Sequence, residues 1–297
     1  MRSGFAALLV VGGCGFHPSI TSGDDAAVVV DAFEIDAPLP PVTCGELTCD
    51  PHAMCSGSPA QCACATGFTG DGMTCSDIDE CMTGNGGCSA ACLNTSGGFL
   101  CYAPQSCADV TAKVPTFHTG VTQLFLQGMP SKQWTAYCSN NKEYITLPAG
   151  DVNNYGQYTH SSNGSDVRTK YSRIRFIPST MKVDLSDQSF ATSSGSLNHT
   201  DGTHVTSMPL GVAMDCSGNN RSTGVAHIDL TGTPFIVSDT FVLGGNHPDG
   251  TATVTQGGRV VAITGGGNCG WNMPSPSIYN PFNKPANANV LDLAFSP

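Results

Sequence analysis

Asp77-Ile78-Asp79-Glu80-Cys81, followed by Cys88, Cys92, Asn94-Thr95-Ser96-Gly97-Gly98-Phe99 and Cys101, is the stretch from which the rest of the chain can be read. Carboxylates stand just ahead of one cysteine, and an amide stands two residues after the third cysteine of the run. Such oxygen donors suit a hard cation, since Ca2+ takes roughly six to eight oxygen ligands in flexible geometry. The plainer reading of the same residues is an acidic linker ahead of a disulfide knot. Cysteine density bears on both. Eleven of the fifteen cysteines fall between Cys44 and Cys107, too dense for a reducing cytosol. A zinc cluster would want Cys-x2-Cys knuckles near histidine. The nearest approach, Cys62-Ala63-Cys64, has the wrong spacing. Paired oxidation in an exported protein is the expectation.

The run from Asp77 to Cys101 resembles a calcium-binding EGF-like module. The resemblance implies that Asp77, Glu80 and Asn94 give side-chain oxygens to the ion, with the backbone carbonyls of Ile78, Thr95 and Gly98 completing the shell. It also implies the bridges Cys81–Cys92 and Cys88–Cys101. The next cysteine of the family pattern should stand at position 103, where the chain has Ala103. The module is therefore truncated over residues 77–104. Residues 44–75 resemble a complete EGF-like module, including Cys62-x-Cys64 and the Gly67-Phe68-Thr69-Gly70-Asp71-Gly72 turn. Here the family implies Cys44–Cys55, Cys49–Cys62 and Cys64–Cys75, one of fifteen connectivities open to six cysteines. A unit this small cannot bury enough apolar area to offset chain entropy, so crosslinks restrict its unfolded state instead. The short joint between Cys75 and Cys81 would be stiffened by a bound ion, with Phe99 available to pack against the first module.

Upstream, residues 1–13 read as a brief targeting segment: Arg2, an apolar run from Phe5 to Val11, then glycines. Val11-Gly12-Gly13-Cys14 resembles a bacterial lipobox, which implies lipidation of Cys14 and an anchored protein rather than a spanning one. Residues 14–43 carry scattered acids, then Pro38, Pro40 and Pro41, and read as an extended tether. Cysteine parity supports this partition, because Cys14 is the odd thiol left over.

Downstream, residues 105–297 hold short runs rich in β-branched and aromatic residues, bounded by Gly, Asn and Ser. Strands are expected at 122–126, 135–138, 144–147, 174–177, 181–185, 226–230, 235–237, 251–254, 259–263 and 290–295. No sustained helical periodicity occurs, so the expectation is a larger all-β domain, and the chain as a whole reads as mostly β. Phrases spread along this region resemble the GON domain of secreted ADAMTS-type metalloproteases. They include Ser106-Cys107-Ala108-Asp109-Val110, Lys142-Glu143-Tyr144-Ile145-Thr146-Leu147-Pro148, Pro209-Leu210-Gly211-Val212-Ala213-Met214-Asp215-Cys216 and Gly265-Gly266-Gly267-Asn268-Cys269-Gly270. Of the three pairings open to the four cysteines here, Cys107–Cys138 with Cys216–Cys269 is preferred.

Catalytic signatures are missing from the sequence. None of the eight histidines is followed by glutamate, so no His-Glu-x-x-His zinc helix exists. No Gly-x-Ser-x-Gly elbow and no phosphate loop occurs either. Zinc enters only through the family's association with metalloproteases, whose catalytic domain this chain lacks. His199 and His204, flanking Asp201, lie in a Gly/Thr/Ser context and read as a solvated surface. Trp134, Tyr137, Tyr144, Tyr155 and Trp271 read as core, or else as a sugar- or peptide-binding face. The net charge of -11 argues against nucleic acid and anionic lipid as partners. The expected protein is a non-enzymatic, lipid-anchored extracellular binder, a calcium-stiffened stalk presenting a β domain to a protein or glycan. The alternative is an accessory, substrate-presenting module of an extracellular metalloprotease system.

Overall fold

The computed structural model describes residues 39–150, 153–160, 164–217, 223–276, 281–282 and 290–297. The expected leader, Cys14 and most of the tether fall outside them. Among the described residues no helix is long and apolar enough to cross a membrane.

The small N-terminal units are hairpins. β1 (Val42–Cys44) pairs with β2 (Leu47–Cys49), β3 (Ala53–Ser56) with β4 (Gln61–Cys64), and β5 (Phe68–Gly70) with β6 (Cys75–Asp77). β7 (Ala91–Thr95) and β8 (Gly98–Tyr102) make the fourth. A lone two-stranded hairpin is marginal in water, and the sulfur bridges supply what the sheet cannot. The structure joins Cys44 to Cys55, Cys49 to Cys62, Cys64 to Cys75, Cys81 to Cys92 and Cys88 to Cys101. Apolar burial here reaches only Cys44, Cys49 and Ala53, with Val42, Cys62 and Cys75 against them.

A short helix, α1 (Cys107–Lys113), opens the larger domain. It is the one α-helix in an otherwise β domain among the described residues. Seven residues are too few to show periodicity, yet the start carries a reciprocal cap. The Ser106 hydroxyl accepts from the Asp109 N–H, and the Asp109 carboxylate accepts from the Ser106 N–H. Glu143, nearly buried, accepts the Cys107 N–H at 2.8 Å, and the Cys107–Cys138 bridge ties the helix to the sheet.

Two sheets follow. β9 (Thr119–Phe125), β10 (Gln133–Ser139) and β11 (Lys142–Thr146) begin the first; β12 (Tyr155–Thr159) and β13 (Gly164–Tyr171) begin the second. β14 (Arg173–Ile177) and β15 (Lys182–Asp184) return to the first, then β16 (Ala191–Asn198), β17 (His204–Val205), β18 (Ala213–Asp215) and β19 (Gly224–Asp229) join the second. β20 (Phe235–Val237) belongs to the first. β21 (Phe241–Gly245), β22 (Pro248–Thr255), β23 (Val260–Gly267) and β24 (Gly270–Pro274) belong to the second, and β25 (Val290–Phe295) closes the first.

Among the described residues the first sheet runs β20-β25-β15-β14-β11-β10-β9, antiparallel throughout. The second runs β17-β16-β13-β12-β18-β24-β21, with β19, β22 and β23 branching from it, and its β12–β18 pair is parallel. Alternation explains the core. Trp134, Ala136 and Cys138 of β10, Ile174 and Phe176 of β14, and Ala226 and Ile228 of β19 point inward at every second position. They meet in one core between the sheets, where Trp134 packs edge-on against Phe176 and Phe235 at 5.2 and 5.4 Å. A second core, built on Tyr158, Leu197, Val212, Met214, Trp271 and Phe282, includes Cys216. Cys216 is bridged to Cys269 there.

All ten strand regions read from the sequence carry strands. The unread ones were β12, β13, β16, β17, β18, β21 and β24. β16 reads Ala-Thr-Ser-Ser-Gly-Ser-Leu-Asn and buries only Leu197, so it carries no apolar alternation to find. β24 is buried at every position and shows none either.

Candidate cation site at the module joint

Asp77, which the sequence reading assigns to the second module, lies in a strand of the first. Asp77 ends β6 and pairs with Phe68 of β5, so it is built into the terminal hairpin of the first module. From there its carboxylate reaches the second module. Oδ1 accepts the Gly97 N–H at 2.6 Å and Oδ2 accepts the Asn94 amide at 2.7 Å. These two bonds hold the Asp77 carboxyl below its ordinary range, the Gly97 N–H first and the Asn94 amide second. Next to it, the Ile78 N–H donates to the Gly67 carbonyl at 2.9 Å.

Asn94 stands on β7 opposite Phe99, and Thr95 opposite Gly98. The turn between them places Gly97 against the first module. A Cβ on Gly97 would lie 2.8 Å from Phe68 Cε2, and one on Gly67 would lie 2.4 Å from the Gly97 carbonyl oxygen. Both glycines also have positive φ, +79° and +87°, a conformation that costs any other residue. The joint therefore closes by backbone approach, and its aromatic is Phe68, which stacks on His52 at 4.3 Å. Phe99, the residue expected there, lies instead against Gly86 of its own module. Sequence alone gave no sign of this exchange, because it follows from the docking of one turn on another.

Glu80 begins a single 3-10 turn, Glu80–Met82, capped by the Asp79 carboxylate on the Cys81 N–H. This turn packs on β7 and β8. Two acceptors at the joint are buried without a hydrogen-bond partner: Glu80 Oε2 and Asn94 Oδ1. A buried unsatisfied acceptor costs about 1–3 kcal/mol, more if charged, and these two belong to the residues singled out as oxygen donors. With the Asp77 carboxylate bonded to Asn94, the donor set is all oxygen and anionic. That chemistry fits a hard cation such as Ca2+. The carbonyl-bearing residues of the expected set are placed on β7 and β8 (Thr95, Gly98) and just beyond β6 (Ile78).

The β domain offers a different kind of opening. A cavity of about 620 Å3 lies beside the start of α1, with Gln105, Lys132 and Glu143 as polar groups and Leu126, Met181 and Phe295 as apolar wall. Trp134, Tyr144, Tyr155 and Trp271 are buried at 2–8% exposure, which removes them as a ligand-stacking face. Tyr137 is covered by the Arg173 guanidinium at 3.8 Å. His199 corrects another expectation, being only 6% exposed rather than solvated.

Comparison with known proteins agrees with this division. Residues 60–80 match the family model described as Complement Clr-like EGF-like, and residues 159–279 match that of the GON domain. The chain therefore carries an EGF-like region and a GON domain. The first match ends on Glu80, and so takes in Asp77 and the last hairpin together. Among curated proteins, mouse (Mus musculus) uromodulin is 41% identical over 86 residues, 27% of this chain and 13% of that protein. Adhesion G protein-coupled receptor L4 of Rattus norvegicus is 44% identical over 69 residues, covering 22% and 9%. Nidogen-1 of Mus musculus is 42% identical over 71 residues, covering 22% and 6%. The chain thus spans a small part, 6–13%, of these relatives. No solved structure matches it.

Proposed function

We propose that this protein is a non-enzymatic extracellular binding protein whose EGF-like pair is a stalk stiffened by Ca2+ at the joint, and whose GON domain engages a protein or glycan. The observation that carries the stalk is that Glu80 and Asn94 each keep a buried oxygen without a hydrogen-bond partner, Asn94 while its amide is bonded to the Asp77 carboxylate. Bound Ca2+ supplies positive charge that these acceptors lack. The chain's own residues do the rest: Asp77 fixes the second module to the first through Gly97 and Asn94, and Gly67 and Gly97 let the two backbones meet. Extracellular modules in the matched relatives support the compartment, as does sulfur pairing throughout residues 44–101. Lipidation at Cys14 would fix the stalk to a membrane, with the β domain facing outward. The cavity beside α1 is the ligand surface of choice, since it combines Lys132 and Glu143 with an apolar wall of Leu126, Met181 and Phe295.

Limited proteolysis tests the stalk. Calcium should raise resistance to cleavage between Cys75 and Cys81 in the parent and leave Asp77→Ala and Glu80→Ala unprotected. An absence of calcium effect in the parent would defeat the reading. For the anchor, Cys14→Ala should move the protein from the membrane to the soluble fraction.

A further inference from the structure

His199, Cys216 and Cys269 come from three distant points of the chain and meet in the second core. One ring nitrogen of His199 and the two sulfurs all lie within 4.8 Å of one another. His199 and Cys216 are buried, at 6% each. The ring is held in place by its neighbours. Asp201 Oδ1 lies 2.9 Å from Nδ1, nearer than the Asp201 N–H that also faces it at 3.3 Å, and Phe282 packs at 4.8 Å between ring centroids. A carboxylate on Nδ1 favours the tautomer with its proton there, which leaves the lone pair on Nε2. That Nε2 is buried with no hydrogen-bond partner. Core packing does not account for it, since an unmet acceptor in an apolar shell is a cost.

We propose that these three residues form a redox-gated site for a borderline divalent cation of the zinc class, shut when Cys216 and Cys269 are bridged and open when they are reduced. The step balances simply. A dithiol reductant gives two electrons and two protons, the Sγ–Sγ bond breaks, and the reductant leaves as its own disulfide. Binding of the cation to the two sulfurs then releases those two protons, because thiolate rather than thiol is the ligand. Two thiolates and an imidazole make the donor set of an open Cys2His site, with a fourth position left for water or a ligand. Asp201 is a positioning residue, holding the imidazole by its far nitrogen as carboxylates do behind metal-bound histidines. Asp215 is not the fourth ligand. Its carboxylate is committed to the Ser217 N–H at 2.8 Å and to the hydroxyls of Ser217 and Thr223. This site shares no residue with the calcium set at the module joint.

The full chain, reduced with dithiothreitol and desalted without oxygen, is titrated with Co2+ as a spectroscopic stand-in. The Cys216→Ser/Cys269→Ser variant sets the background from all other thiols. The parent should bind one equivalent beyond that background, with a near-ultraviolet thiolate-to-cobalt band and visible bands of four-coordinate intensity. Asp201→Asn should weaken binding roughly 10–100-fold, and His199→Gln at least as much, with tryptophan fluorescence showing that both remain folded. The proposal fails if alkylation mapping finds Cys216 and Cys269 reduced while the parent gives only the background. It fails equally if His199→Gln or Asp201→Asn binds like the parent. A Cys216–Cys269 bridge that opens only when hydrogen exchange shows the domain unfolding would also overturn it.

Discussion

The hairpins of residues 42–102 bury three residues as a core, Cys44, Cys49 and Ala53. The sheets of residues 119–295 bury Trp134, Phe176, Phe235 and some twenty others in one continuous cluster. Five bridges hold the first region and two the second. Free energy enters through different doors. In the stalk, crosslinks lower the entropy of the unfolded chain, each loop of about fifteen residues contributing about 3 kcal/mol. In the β domain, apolar area is removed from water and packed, at roughly 25 cal/mol per Å2. One region should thus respond to reductant and the other to cavities.

The sharpest test is complete reduction. Residues 42–102 should lose all hydrogen-exchange protection, while β10, β14 and β19 keep theirs. Equal loss in both would erase the distinction. Next in size, Trp134→Ala should cost about 3–5 kcal/mol, read by denaturant unfolding of the β domain, and leave the stalk unchanged. A smaller effect is expected at the seam of the stalk. Gly97→Ala forces a methyl toward Phe68 and strains a positive φ, at about 1–3 kcal/mol, and should speed cleavage near Cys75–Cys81 without unfolding either module. Smallest is the acid response of Asp77. Its folded carboxyl titrates below the ordinary value of 3.8, so the unfolded state binds the proton more readily. The stability it gives is present above that value and lost as pH falls through the folded one. The group is exposed, so only a slight loosening of the joint is expected below about pH 4, visible as a pH-dependent change in Gly97 amide exchange. Asp77→Asn should flatten that dependence.

How far the sequence could be read follows the same line. Sulfur chemistry in the stalk is written in contiguous spacing, so its five bridges were legible without coordinates, as were the oxygens of Asp77, Glu80 and Asn94 that are proposed as ligands. The strands found were those with inward alternation, such as β10 and β14. β16 was hidden because Ser and Thr on both faces carry no period, and α1 because a seven-residue helix announces itself only by the Ser106–Asp109 cap. Two features had no local signature. Phe68 rather than Phe99 sits at the joint because Gly67 and Gly97 approach within a methyl's width. His199 is buried because residues near 160, 216, 269 and 282 converge on it from far along the chain.

β25 lies between β15 and β20 in the first sheet, although those partners precede it by about fifty residues and more. Emerging from a ribosome or a translocation channel, the sheet has a slot one strand in from its edge until residues 290–295 arrive. Leu291 and Leu293 then complete the wall beneath Val183 and Phe235. Assembly of the β domain is gated by its latest strand, so it matures after the stalk rather than alongside it.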